Sequence, residues 1–157
     1  MKLLNKTSEK FVFELMSEEK ELLSKIFGLY PMLDRDKIEL SKTIKDEQIC
    51  QSKKILSDAF KEFQDSNKRF ISELFEKSDN FKPSEDYEYY TLELDGEQIE
   101  RLLQILNDIR VGMWQKLGCP DLENRKDFIR SAEDVFAVYI MDICEYFEYY
   151  LLKALGY

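Results

Sequence analysis

The sequence predicts a mostly helical domain of the α+β class that spans residues 1–157 as one unit. Apolar side chains recur at helical spacing in three long segments, and two short segments rich in aromatic and β-branched residues each lead into a helix. The composition, 44% apolar and 35% charged, is that of a chain that buries a core. We therefore expect a helical domain with two short antiparallel strands.

The first strand is predicted at residues 10–16, which read Lys-Phe-Val-Phe-Glu-Leu-Met. Ser17 is expected to cap a helix over residues 18–30, whose acidic first turn suits the positive end of the helix dipole. Pro31 disfavours helical geometry at the residue before it, so we expect this helix to end or kink there.

A long helix is predicted over residues 43–77 by a heptad-like apolar stripe. The stripe contains six residues at spacings of 7, 4, 3, 7 and 4, namely Ile49, Leu56, Phe60, Phe63, Phe70 and Leu74. Asn67 interrupts the stripe. The Ser66-Asn67 pair is where we expect any bend, because both residues are poor helix formers.

The second half of the chain repeats the order of strand and helices. Residues 78–88 have the proline and charge density of a loop, and Tyr89 to Leu94 is predicted to form the second strand. Asp95, followed three residues later by Gln98, resembles a capping box and predicts a helix that ends near Gly118.

The last helix is predicted over about residues 132–155, with Ser131 as its cap, after a loop or short helix over residues 119–131. Its apolar residues alternate at spacings of 4 and 3, namely Phe136, Ile140, Ile143, Phe147, Tyr150 and Ala154. This spacing is typical of a helix face that packs against a core.

An offset of 79 residues superimposes the first half of the sequence on the second. Six identities fall in the 18 columns that start at Phe13, including Glu14 on Glu93 and Leu15 on Leu94. The offset suggests strand-helix-helix repeats at 9–78 and 88–157, related by a pseudo-twofold axis with the two strands paired antiparallel. The alternative is two unrelated units that share an amphipathic pattern.

The residue inventory excludes several common chemistries. The chain has no histidine, so it lacks Ser-His-Asp and Cys-His nucleophile systems and histidine-ligated metal sites. Its five glycines are not clustered, which excludes a P-loop and a dinucleotide-binding turn. Its three cysteines are widely spaced and odd in number, which predicts reduced thiols. We predict neither a resident cofactor nor a bound metal.

The formal net charge of −9 repels phosphate backbones and anionic lipid surfaces, so we predict no nucleic-acid or membrane partner. The longest apolar run, Val135 to Met141, is far shorter than the roughly 20 residues of a membrane-spanning helix. Residues 1–6 lack the apolar region of a secretory signal, so we predict a cytoplasmic protein.

Several motifs of the second half resemble a known family. They are Leu94-Asp95-Gly96-Glu97, Leu106-Asn107-Asp108-Ile109-Arg110, Leu117-Gly118 and the aromatic-rich segment from Tyr139 to Leu155. Over about half of the chain the sequence resembles the uncharacterised bacterial domain of unknown function numbered two thousand and seventeen. That family carries no assigned activity. Its genes often lie near that of the Clp protease adaptor, so the resemblance implies a protein-quality or regulatory context.

Arg110 is the centre of the candidate site. It lies four residues after Leu106 and seven after Leu103, hence on the apolar face of its helix, where a guanidinium needs a carboxylate partner. We expect that partner to be Asp142 or Glu145 in the last helix. The group could be an anion or partner site at the helix seam, or it could be a structural bridge that fixes how the helices pack.

A carboxylate ladder in the last helix offers an alternative chemistry. Asp142, Glu145 and Glu148 follow one another at i, i+3 spacing, which could hold Mg²⁺ or form a solvated face. Cys119 stands in a predicted loop and is the cysteine that we expect to be most exposed.

The last helix is apolar almost all round. Val138, Met141 and Leu152 lie beside its acidic residues and predict either a helix buried in the monomer or an interface with a partner. We predict self-association through this patch and the long helix.

The leading functional interpretation is a non-enzymatic interaction or regulatory protein, homodimeric, that holds another protein on an aromatic surface. The alternative is a small carboxylate-dependent enzyme, possibly Mg²⁺-dependent, with its site at the seam around Arg110.

Overall fold

The computed structural model describes residues 1–33, 47–76, 80–122 and 128–157, with side chains in the second range from Lys54 onward. In chain order the elements are β1 (Lys2–Lys6), β2 (Phe11–Met16), α1 (Ser17–Phe27), α2 (Glu47–Glu76), β3 (Phe81–Pro83), β4 (Tyr89–Leu94), α3 (Gly96–Lys116) and α4 (Ala132–Leu155). The predicted mostly helical α+β class is confirmed. Residues 43–46 and 77, which we expected to be helical, and the Ile49 side chain lie outside the described residues.

The strands form one antiparallel sheet in the order β1-β2-β4-β3. The two predicted strands, β2 and β4, pair with each other at its centre. The edge strands β1 and β3 were not predicted. Most side chains of β1 are exposed, so it shows no alternating apolar pattern, and β3 is only three residues long within the expected loop over 78–88.

The register of the central pair places Phe13 opposite Leu92, and these positions differ by 79 residues. Each half of the chain contributes a hairpin followed by helices, with β2 and β4 side by side. This arrangement is the one that a two-fold relation between the halves requires. The duplication over 9–78 and 88–157 stays a prediction, since α1 has 11 residues and α3 has 21.

The core lies on one face of the sheet, under α1, α3 and α4. Phe11, Phe13 and Leu15 alternate into it from β2, as expected for a sheet with one buried face. From the helices, the residues with essentially no exposure include Phe27, Ile105, Leu106, Ile109 and Phe147. Each such side chain contributes roughly 1.5–3 kcal/mol by burial, so this layer fixes how α3 and α4 lie on the sheet.

Two of the predicted helix caps are confirmed. The Asp95 carboxylate accepts a hydrogen bond from the Gln98 amide at 2.8 Å, and the Ser131 hydroxyl accepts one from the Asp134 amide at 3.1 Å. Both caps belong to capping boxes. They set the starting points of the two helices that form the candidate site.

The predicted cap at Ser17 is wrong. Strand β2 runs directly into α1, so Met16 takes the capping position and the Ser17 amide donates to the Glu88 carbonyl at 3.0 Å. The Glu19 carboxylate accepts from the Met16 amide at 2.8 Å. The helix ends at Phe27 instead of Tyr30, and a cis peptide bond joins Tyr30 to Pro31.

Helix α2 is helical at every residue from Glu47 to Glu76, including the Ser66-Asn67 pair, which the sequence marks as the place for a bend if the helix has one. The apolar stripe is not core along its whole length. Leu74 is buried, whereas Leu56 is 52% exposed. None of the helices in the described ranges combines the length and apolarity needed to cross a bilayer.

Candidate functional site at the seam of α3 and α4

A cavity of about 300 Å³ lies in the seam between α3 and α4. Its apolar walls come from both helices and from the stretch between them, namely Val111, Trp114, Leu122, Phe128, Val138 and Met141. A concave, mostly apolar site with a few polar groups is the usual form of a ligand or side-chain pocket.

The three residues of the candidate anion or partner site all line this cavity. They are Arg110 from α3 and Asp142 and Glu145 from α4. The structure therefore brings the three residues singled out by the sequence to one cavity, and their role as an anion or partner site stays a prediction. The sequence did not identify the walls from Leu122 and Phe128, because those residues fall in the segment 119–131, where no helical periodicity marks a face.

Arg110 pairs with Glu148 at 3.3 Å between Nη1 and Oε2, whereas we expected Asp142 or Glu145. The Arg110 side chain is 39% exposed and that of Glu148 only 11%. Arg110 is thus not the buried group that the sequence suggested. The buried member of the pair is Glu148, one helical turn beyond Glu145 and on the side of α4 that faces the core.

Burial determines the electrostatics below the cavity. It raises the pKa of Glu148, an effect that Arg110 opposes and Glu145 reinforces. Within the described part of the chain, Glu148 Oε1 is buried without a hydrogen-bond partner. Burial, with a contribution from Glu148, also raises the pKa of Cys144 to about 12. The Cys144 thiol is therefore protonated at neutral pH and shielded from reagents.

Trp114 holds the chain that leaves α3. Its indole N–H donates to the Pro120 carbonyl at 2.9 Å, and its own carbonyl accepts from the Cys119 amide at 3.1 Å. Cys119, exposed as expected, has a positive φ of 57° at this turn. These bonds place Leu122 at the mouth of the cavity, so Trp114 both builds and lines the site.

The carboxylate ladder does not converge on one point. Asp142 and Glu145 are exposed, whereas Glu148 is buried against Arg110. In the ranges that the structure describes, no group of three or more Cys, Asp or Glu side chains is arranged to hold a metal ion.

The predicted interface residues occupy different environments. Val138 and Met141 line the cavity, and Met141 is only 8% exposed, whereas Leu152 is exposed. The exposed apolar side chains along the outer face of α4 are instead Val135, Tyr139, Tyr149 and Leu152. We refer to these four residues as the α4 outer face.

Tyr146 stands beside the α4 outer face but has a structural role. Its hydroxyl donates to the Glu19 carboxylate and accepts from the Met1 backbone nitrogen. Burial, followed by Glu19, raises the pKa of Tyr146, so this hydroxyl remains a donor at physiological pH. The contact ties α4 to the start of α1.

The arrangement can bind an apolar group next to a charge. Among the described residues that line the cavity, the Arg110 guanidinium stands beside the carboxyl groups of Asp142 and Glu145, and it is paired with the buried Glu148 below them. No known protein family, curated protein or solved structure matches the chain.

Proposed function

We propose that the protein is a cytoplasmic, non-enzymatic interaction protein that binds a basic, amphipathic segment of another protein. The segment lies across the seam cavity and the α4 outer face. The observation that carries the proposal is one continuous surface on which an apolar cavity, a carboxylate rim and exposed aromatic side chains adjoin.

The continuity follows from helix geometry. Tyr139 precedes Asp142 by three residues, and Tyr149 follows Glu145 by four, so each aromatic ring neighbours a carboxylate of the cavity rim. Val138 and Tyr139 are adjacent and line the cavity and the outer face respectively. A bound segment can therefore contact both areas at once.

The cavity supplies an apolar anchor. A volume of about 300 Å³ accommodates one large apolar side chain, and its walls include Trp114 and Phe128. Buried anchors of this kind provide most of the affinity in protein interfaces. The partner segment therefore needs a large apolar residue that enters the seam.

The rim selects a basic partner. Asp142 and Glu145 are exposed at the cavity edge, and the whole chain carries a formal charge of −9. Attraction between these carboxylates and a basic segment accelerates their encounter, and repulsion between like charges disfavours acidic partners. Lysine or arginine residues beside the apolar anchor satisfy this requirement, whereas nucleic acid and anionic lipid do not.

Binding is favoured over catalysis by the state of the nearby reactive groups. Cys144 is buried with a pKa of about 12, and Glu148 is paired with Arg110. Neither group is available to a substrate in the cavity. The groups that do face the cavity are suited to contact and charge recognition.

The test uses Trp114, the single tryptophan of the chain, as a fluorescent reporter. The ligand is a synthetic helical peptide with leucines on one face and lysines on the other. Its matched control has glutamates in place of the lysines. We expect the lysine peptide to change the Trp114 emission in a saturable manner and the glutamate peptide to have no effect.

Charge variants then locate the site. The double substitution Asp142→Asn and Glu145→Gln is expected to weaken binding about tenfold, or roughly 1.4 kcal/mol. Glu97→Gln with Glu100→Gln removes the same charge in the first turns of α3, outside the cavity lining, and should leave the Kd unchanged. Equal binding of both peptides, or undiminished binding by the rim variant, would refute the proposal.

An apolar variant separates anchoring from simple charge attraction. Leu122 is exposed at the mouth of the cavity, so Leu122→Asn preserves the fold and removes part of the apolar wall. We expect weaker binding of the lysine peptide at high salt, where surface charge pairs are screened. If the parent protein also loses its binding of the lysine peptide at high salt, the binding is due to charge alone and the cavity takes no part in it.

A further inference from the structure

We propose that a second copy of this chain pairs with the exposed N-terminal part of α2, with the two helices antiparallel about a two-fold axis. The pairing surface is separate from the seam of α3 and α4. It uses side chains that the peptide-binding site does not contact.

Helix α2 is attached to the rest of the chain at its C-terminal part. The Gln64 side chain donates to the Leu33 carbonyl at 3.0 Å, and the Asn67 amide donates to the Tyr30 hydroxyl at 3.1 Å. Phe75 stacks on Phe81 with ring centroids 5.2 Å apart. These contacts set the direction in which the preceding turns of the helix extend.

Residues 54–63, which we call the α2 arm, project beyond these contacts. Every residue of the α2 arm is exposed except Phe60, which is half-buried. Ile55 is 69% exposed, Leu56 52% and Phe63 45%. Three large apolar side chains within nine residues are therefore in water.

The exposed apolar residues of the α2 arm share one face. At 100° per residue, Ile55, Leu56 and Phe63 surround Ala59, which is also exposed. We refer to these four residues as the arm face. The alanine at its centre allows a second helix to approach closely, and the larger side chains on either side can interlock.

The centre of the arm face carries no charge. Seven charged side chains lie on α2 between positions 54 and 69, namely Lys54, Asp58, Lys61, Glu62, Asp65, Lys68 and Arg69. At 100° per residue, Glu62 and Arg69 lie 20° and 40° from Ile55, at the edge of the arm face, and the other five lie at least 60° from any of its residues. An antiparallel pair of arm faces therefore meets through uncharged side chains at its centre, with the charges at its edge or beyond. An uncharged centre is complementary to itself, as a two-fold interface requires.

The charge balance identifies a second copy as the occupant. The same seven residues comprise four basic and three acidic groups, a local excess of one positive charge, whereas the whole chain carries −9. Two molecules of this acidic protein meet with least repulsion where each is nearly neutral. A basic partner is drawn instead to the carboxylates of the cavity rim.

The size of the arm face sets the strength of the dimer. Two faces of three to four turns bury about 1,000 Å² in total, near the lower limit for a specific interface. We expect a dissociation constant in the micromolar range and a dimer that forms at concentrations of about 100 μM.

The experiment measures the mass of the intact chain by sedimentation velocity from about 1 to 100 μM. Ala59→Glu places a charge at the centre of the arm face and should weaken the dimer at least tenfold. Ser57→Glu is its matched control, because Ser57 is equally exposed on the same helix but points away from the arm face. The control should dimerise like the parent, and circular dichroism should show equal helix content in all three proteins.

The outcomes are distinct. A parent protein that stays monomeric at 100 μM overturns the proposal, as does an Ala59→Glu variant that dimerises normally. An equal loss of dimerisation in Ala59→Glu and Ser57→Glu also overturns the proposal, since added charge alone would then explain the effect. Peptide binding at the seam does not depend on any of these results, so the two proposals fail separately.

Discussion

Arg110 and Glu148 form an ion pair of 3.3 Å across the seam of α3 and α4 in which the acid is buried and the cation reaches solvent. This difference in exposure determines which of the two side chains can be replaced at the smaller cost in stability. A guanidinium left alone at 39% exposure remains hydrated, whereas a carboxylate left alone in the core does not.

Arg110→Met is therefore expected to destabilise the protein more than Glu148→Gln. At pH 7 we expect a loss of about 1–3 kcal/mol for Arg110→Met, because it leaves Glu148 charged and buried without a cation. Glu148→Gln should cost less than about 1 kcal/mol, since Arg110 turns to water. Urea unfolding of both variants measures the difference.

The pH dependence of Arg110→Met provides an internal check. The pKa of Glu148 is raised by burial, so Glu148 takes up a proton in the folded chain at a higher pH than an exposed carboxyl does. As the pH falls through this raised pKa, Glu148 becomes neutral and no longer needs a cation beside it. The stability of Arg110→Met should therefore approach that of the parent. A deficit that stays constant down to pH 4 would argue against the assigned pairing.

Gly112 on α3 is predicted to be intolerant of a side chain. A methyl group built at Gly112 would overlap Met32, whose backbone carbon would lie 3.3 Å away. Gly112→Ala should cost about 1–3 kcal/mol, because the segment around Met32 must move.

Gly96→Ala is the matched control for that substitution. Nothing lies within 4 Å of the added methyl at Gly96, which is the first residue of α3. It should be neutral or slightly stabilising, since alanine restricts the unfolded chain. Thermal melts compare the two, and equal melting temperatures would show that Met32 is not held against α3.

Asp108 is predicted to add a pH-dependent cost to the fold. Its carboxylate accepts from the Met32 amide at 2.8 Å and from the Leu33 amide at 3.4 Å, yet burial raises its pKa above the ordinary 3.8. An acid whose pKa rises on folding binds its proton more tightly in the folded chain. The free energy of unfolding therefore falls as the pH rises from 3.8 through the raised value.

Asp108→Asn removes this titration but keeps an acceptor for the two amides. Relative to the parent, we expect the Asn variant to gain stability steadily over that pH window and to keep the gain above it. Asp108→Ala removes both hydrogen bonds and should lose about 1–3 kcal/mol. Urea unfolding between pH 3.5 and 7 tests the sign, and a parent that gains stability over the Asn variant as the pH rises would contradict it.

The parts of the fold that the sequence predicted depend on local interactions. The caps at Asp95 and Ser131 involve residues three positions apart, so the sequence alone reveals them. Ser17 has the same chemistry but is not the cap, because β2 runs directly into α1 and leaves Ser17 as the first residue of the helix, with Met16 in the capping position. The edge strands lacked a buried face and gave no periodic signal.

The site shows the same limit. Arg110 lies at the seam of α3 and α4, but its ion-pair partner is Glu148 and neither of the two acids that the sequence suggested, Asp142 and Glu145. Which acid it meets depends on the rotation of α4 about its axis and on where the helices cross. Those quantities follow from the packing of Phe147 and its neighbours, which no pairwise spacing encodes.

Asn67 illustrates how a polar residue in an apolar stripe acquires a partner. It is only 1% exposed, and its amide donates to the Tyr30 hydroxyl, a residue 37 positions earlier. In the described structure the Asn67 carbonyl oxygen is buried without a hydrogen bond. The Asn67 side chain therefore has a hydrogen-bond partner for its N–H group but, among the described residues, none for its oxygen.

The last prediction is a double-mutant cycle on this pair. Asn67→Leu should cost about 1–2 kcal/mol, because it leaves the buried Tyr30 hydroxyl without its partner, and Tyr30→Phe should cost a similar amount by isolating the Asn67 amide. The double variant removes all of these polar groups from the core, so we expect it to be less destabilised than the sum of the two single variants by about 1 kcal/mol or more. Urea unfolding of the four proteins gives the coupling energy, and strictly additive losses would mean that the hydroxyl and the amide do not interact.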